Sequence, residues 1–103
     1  VHDCYSWGIS GGNISTCTVN NCSNNITGTN IVNNYSYNGY SGIVLRDNST
    51  CNGNYCSGNT YGIQIAGTAI GQNVVTGNRC TGNTTNYINL SSKTQTVANN
   101  DFT

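Results

Sequence analysis

The stretch Ser41-Gly42-Ile43-Val44-Leu45, followed by Cys51-Asn52-Gly53-Asn54-Tyr55-Cys56-Ser57-Gly58-Asn59, returns almost intact further along the chain. Its second copy is Tyr61-Gly62-Ile63-Gln64-Ile65, followed by Val75-Thr76-Gly77-Asn78-Arg79-Cys80-Thr81-Gly82-Asn83. A fainter third copy is Tyr87-Ile88-Asn89-Leu90 with Val97-Ala98-Asn99-Asn100-Asp101-Phe102. Upstream, Ile31-Val32-Asn33-Asn34-Tyr35-Ser36 and Thr18-Val19-Asn20-Asn21-Cys22-Ser23 fit the same anchor, and Val1-His2-Asp3-Cys4-Tyr5-Ser6 fits it loosely. Asn34, Asn54, Asn78 and Asn100 are spaced by 20, 24 and 22 residues, a period near 22.

Short strands separated by Asn/Gly corners at that period describe a β-solenoid, in which no coil buries a core alone and stacking supplies one. Strand alternation places Ile43 with Leu45, and Ile63 with Ile65, on the inward side. It also predicts an inward column of Cys51, Val75 and Val97, and another of Cys56, Cys80 and Phe102. Asn and Gly tolerate the left-handed backbone of tight corners, and Asn can bond the neighbouring coil, so the four anchor asparagines should form a ladder.

Composition agrees. Of 103 residues, 57 are Asn, Ser, Thr or Gly, and only 6% are charged, against about 25% in an average domain. There is no Glu, no Met and only two Leu, which argues against helices. Zero net charge and regularly placed Ile, Val and Tyr argue for order. Three basic residues, Arg46, Arg79 and Lys93, are too few for the phosphate contacts of a nucleic-acid binder. No stretch approaches the roughly 20 apolar residues of a membrane span, so no membrane insertion is expected. The whole of 1–103 reads as one β-helix domain with partial coils at both ends, cut from a longer chain.

The pattern G-I-x-[LI] with [VIC]-x-[GN]-N-x-[CS]-x-G-N resembles the right-handed, single-stranded parallel β-helix repeat of the pectate-lyase-like superfamily, an all-β class. Within it, the small Asn/Ser/Thr coils and the low charge look most like the shaft of a bacteriophage tailspike or related viral fibre. That resemblance implies a homotrimer on a virion tail or in the extracellular space. It also implies binding of host-surface polysaccharide, with any depolymerase activity residing in the parent chain. A secreted monomeric lyase, glycoside hydrolase or epimerase is the alternative. An ice-binding solenoid is disfavoured, because Thr27-Gly28-Thr29 and Thr94-Gln95-Thr96 do not recur coil by coil.

Candidate chemistry is sparse. Asp3, Asp47 and Asp101 are the only carboxylates, and glycoside hydrolysis generally needs two of them close together. Asp47 beside Arg46 is the candidate catalytic element, a surface ion pair at a turn being the plainer explanation. His2 with Asp3 is a weaker acid/base candidate. Tyr35, Tyr55 and Tyr5 follow the anchor and should point outward, with Arg79 continuing their column and Tyr37, Tyr40, Tyr61 and Trp7 nearby. Aromatic faces with amide and hydroxyl neighbours suit a sugar, so Tyr35, Tyr55, Tyr37, Tyr5 and Arg79 are the glycan-binding candidates. Packing against another subunit is the competing role. The six cysteines read as a reduced buried stack, with a Cys56–Cys80 disulfide as the alternative. No metal or cofactor is expected, for there is no C-x-x-C and one His. Seven Asn-x-Ser/Thr matches are attributed to composition.

Overall fold

The computed structural model describes residues 7–69 and 71–103. The first strands are β1 (Trp7–Ser15), β2 (Thr18–Asn20), β3 (Asn24–Val32) and β4 (Tyr35–Tyr37). The middle coils carry β5 (Ser41–Leu45), β6 (Thr50–Asn52), β7 (Tyr55–Ser57), β8 (Tyr61–Ile65), β9 (Val74–Thr76) and β10 (Arg79–Thr81). The last turn holds β11 (Thr85–Asn89), β12 (Thr96–Ala98) and β13 (Asp101–Phe102). Every strand pairing is parallel. The chain winds as a parallel β-solenoid of about five turns, with about 20 residues per turn. No helix occurs among the described residues, and so none is long and apolar enough to cross a membrane.

One face stacks β2, β4, β7, β10 and β13, and the remaining strands form a second sheet. In that second sheet the nine-residue β3 pairs through its first half with β5 and through its second half with β6. From the third coil onward, therefore, the cross-section has three sides, and earlier it has two.

Coil length changes at one corner only. Between the pairs Thr27↔Val44 and Asn30↔Thr50, β3 spends residues 28–29 where the next coil spends residues 45–49, so a 17-residue coil becomes one of 20. Residues 46–49 then give way to 66–73, lengthening the coil to 24, and 90–95 shorten it to 22. The period of 22 read from the sequence is thus the last of several values. The expected alignment of Thr18–Ser23 on the Asn34 anchor is corrected for the same reason: Thr18 pairs with Tyr35 and Val19 with Ser36. Cys17, rather than Asn21, occupies the anchor position, because the straight β1 and β3 close a coil of 17 residues, not one of 13.

The other two corners keep constant length and constant backbone. Thr16, Asn33, Gly53, Gly77 and Asn99 share a positive φ of 56–68° at one of them. Asn21, Asn38, Gly58 and Gly82 do so at the other, with φ of 55–70°. Glycine and asparagine are the residues that enter this region at least cost.

Stacked inside are Ile26, Ile43 and Ile63 in one column, Ile31, Cys51 and Val75 in another, and Val19, Ser36, Cys56 and Cys80 in a third, all fully buried. Leu45 and Ile65 fill the side added at the third coil. Alternation thus works as expected, and the Cys56–Cys80–Phe102 column is as anticipated. Val97 does continue the Cys51–Val75 column, but it is exposed on the last turn. The rings of Tyr87 and Phe102, 5.6 Å apart and nearly parallel, sit over that end of the core.

The asparagine ladder is continuous. Asn34, Asn54 and Asn78 each donate their backbone N–H to Oδ1 of the next rung at 2.9 Å, and their Nδ2 groups reach the same oxygen at 3.0 Å. Asn59 and Asn83 form a second ladder at the other constant corner, joined by bonds of 2.9 and 3.1 Å. Gly42 and Gly62 are needed beside it, since a Cβ at either would lie within 3 Å of a ladder amide and of a neighbouring carbonyl. At the variable corner Ser49, Asn73 and Gln95 make a third, shorter ladder.

Candidate functional site

The five-stranded face directs one rank of side chains outward: Thr18, Tyr35, Tyr55, Arg79 and Asp101. Strand register alone sets this rank, each residue lying one coil above the last. Tyr35 and Tyr55 meet edge to face with ring centroids 5.1 Å apart, while Tyr37 stacks on Tyr35 at 4.6 Å. The Arg79 guanidinium lies 5.3 Å from the Tyr55 ring centre and 3.7 Å from the Asp101 carboxylate. Tyr35 Oη is 3.3 Å from Ser57 Oγ. Tyr35 is 41% exposed and Tyr37 and Tyr55 are half-buried, so the cluster offers ring faces and edges with hydroxyls between them. Around the next corner Tyr40 and Tyr61 form a second edge-to-face pair at 5.4 Å.

The structure therefore brings together Tyr35, Tyr37, Tyr55 and Arg79 from the expected set. Tyr5, with His2, Asp3 and Cys4, lies outside the described residues, and the Trp7 side chain is likewise not described. Asp101, as the ion-pair partner of Arg79, was not anticipated as part of this face; its spacing of 22 residues from Arg79 carried the signal.

Arg46 and Asp47 lie at the variable corner, opposite the tyrosine face. They line a cleft of about 250 Å³ together with Gly11, Thr27 and Gly28. Thr29 and Ser49 complete its rim. The cleft exists because the two-residue crossing of β3 at Gly28 and Thr29 lies beneath the longer Arg46–Ser49 connection. Oδ1 of Asp47 accepts a hydrogen bond from the Gly71 N–H of the next coil at 3.3 Å. Asp47 is the only carboxylate among the lining residues, and Asp101 is engaged with Arg79 on the other side of the molecule. Sequence reading identified Arg46 and Asp47 but not the rest of the cleft, whose residues come from three coils; the change of coil length was the available signal.

The five described cysteines, Cys17, Cys22, Cys51, Cys56 and Cys80, are free thiols. Cys51, Cys56 and Cys80 share the lumen, fully buried. Burial pushes the Cys51 thiol pKa well above its ordinary value. Cys56 is raised too, first by its hydrogen bond with Cys80 and then by burial. Enclosure makes all three thiols unreactive, and the raised pKa values of Cys51 and Cys56 add to this. Among the described residues no three of His, Cys, Asp and Glu gather where a metal ion could be held.

No protein-family model, curated protein or solved structure matches the chain.

Proposed function

We propose that this solenoid is a carbohydrate-binding segment of an extracellular or virion-tail fibre of tailspike type, and that it contacts host-surface polysaccharide through the tyrosine face. The observation that carries this reading is the Tyr37–Tyr35–Tyr55–Arg79 cluster, in which successive coils offer aromatic surface and a cation at intervals of one strand spacing. Sugar rings present an apolar face and a rim of hydroxyls. Tyrosine supplies the matching apolar surface, and the Ser57 and Tyr hydroxyls supply polar partners. A linear polysaccharide laid along the solenoid axis would meet the rank coil after coil. The fibre assignment extends this to a homotrimer, with the rank exposed in a groove between copies.

The test is polysaccharide binding by the chain and by a Tyr35→Ala/Tyr55→Ala variant, with molar mass followed by sedimentation equilibrium. Binding should weaken by about 1 kcal/mol or more, on the scale of a lost aromatic contact, while the assembly state is unchanged. Loss of assembly with unchanged binding would assign the tyrosines to a subunit interface instead. A species near three times 10.9 kDa supports the fibre, and a monomer removes the trimer from the proposal.

A further inference from the structure

The geometry points to a second ligand site, independent of the tyrosine face: we infer that the Arg46–Asp47 cleft binds one vicinal diol unit, either a single sugar ring or a free polyol. Three observations converge on it. First, the cleft is a step built into the winding, not a gap between mobile loops: the short crossing of β3 forms its floor and the longer corner of the third coil its wall. At about 250 Å³ it lies just under the 300–1,000 Å³ of drug-sized sites and so suits one small ring.

Second, the lining chemistry is that of hydroxyl recognition. Asp47 offers a carboxylate whose two oxygens can accept from adjacent hydroxyls, and Arg46 offers a planar fork of donors. Thr29, exposed at the rim, adds a hydroxyl that both donates and accepts, while the buried Ser49 hydroxyl donates to the Asp47 carbonyl at 3.0 Å. Adjacent opposite charges leave no excess of either sign, which favours a neutral polyol over an acid or an amine. The Asp47 carboxylate is also positioned in advance, through its bond from Gly71 N–H.

Third, the cleft has room on the side of the coil below. Thr27 stands in the cleft wall, on the outward side of β3, between Ser10 and Val44 in register; its Oγ1 is shielded from solvent and so from a ligand as well. Gly11 faces the cleft from the coil below, and a Cβ built there meets nothing within 4 Å. The space in front of it is therefore available to a ligand.

The test uses the whole chain and saturation-transfer NMR with methyl α-mannopyranoside, methyl β-galactopyranoside and mannitol as probes, and tetrahydropyran as a ring without hydroxyls. At least one diol probe should bind and tetrahydropyran should not; binding of the glycosides but not mannitol identifies a sugar ring, and the reverse a free polyol. Gly11→Val should abolish the signal by filling the cleft, and Asp47→Asn should weaken it at least tenfold by removing the charged acceptor. Thr29→Val should weaken it about fivefold by removing the rim hydroxyl while leaving thermal stability unchanged. The Tyr35→Ala/Tyr55→Ala variant should bind these probes normally, which separates this site from the tyrosine face. No binding of any diol probe, or binding that survives Gly11→Val in a folded variant, overturns the inference.

Discussion

Asn54 and Asn78, 24 residues apart in the chain, are joined through a single oxygen: both N–H and Nδ2 of Asn54 donate to Oδ1 of Asn78, at 2.9 and 3.0 Å. The same Asn54 accepts both donors of Asn34 and caps the carbonyl of Ile31 at 2.8 Å. One buried amide side chain thus satisfies groups on three coils. Asn54→Ala leaves at least two buried polar groups unpaired, at about 1–3 kcal/mol each. Urea denaturation should show a loss of about 3 kcal/mol or more. Asn100→Ala, on the half-buried last rung, should cost about 1 kcal/mol. Equal effects at the two positions would contradict the ladder as the main corner support.

Thr16 occupies a corner position that every other described coil gives to Asn or Gly, with φ of 56°. A β-branched side chain is strained there. Thr16→Asn should raise stability by about 0.5–1 kcal/mol, read as an increase in melting temperature. Gly53→Ala, at φ of 68° and with its new Cβ against Asn33 Oδ1, should lower it by more than that. A neutral Thr16→Asn would show that the strain is relieved elsewhere.

The lumenal thiols make stability sensitive to alkaline pH. Cys51 and Cys56 have folded-state pKa values raised above the ordinary thiol value near 9. The unfolded chain therefore releases these protons first as pH rises, and the folded state binds more of them. Their contribution to stability is complete below about pH 9 and falls above it, by up to about 1.4 kcal/mol per pH unit for each thiol. Denaturant midpoints between pH 8 and 10.5 should show the decline. Cys51→Val, which continues an aliphatic column with Ile31 and Val75, should flatten it. In Ellman titration Cys22, Cys51, Cys56 and Cys80 should react only after denaturation, and failure to react even then would establish disulfides.

Arg79 connects Tyr55 and Asp101 on an open surface, where the ion-pair side chains are 60% and 50% exposed. Exposed pairs of this kind contribute little. Arg79→Ala should change stability by less than about 0.5 kcal/mol, yet reduce the affinity of the tyrosine face for an anionic polysaccharide. A large loss of stability would mean that Arg79 organises the rank rather than serving a ligand.

Much of the winding was legible in the chain itself. Alternation announced the inward pairs Ile43 with Leu45 and Ile63 with Ile65, though β5 is buried along its whole length, and the recurrence of Asn-x-[CS]-x-Gly-Asn announced stacked corners. Both signals are local, because side-chain direction along a strand and tolerance of positive φ are properties of the residues concerned. The inward cysteine columns and the outward Tyr35–Tyr55–Arg79 rank followed from the same register.

What the tertiary structure decided was everything that depends on how many residues a coil spends at its variable corner. That number cannot be read from any one coil, since it emerges only when two coils are laid in register. It shifts Thr18 against Tyr35, places Cys17 where the ladder asparagine would be, and opens the cleft between Gly11, Thr27 and Asp47. The residues of that cleft are up to 38 apart in the chain, from Gly11 to Ser49, and share no motif. Stacking at the strand spacing, with one coil longer than its neighbour, is the physical cause of their meeting.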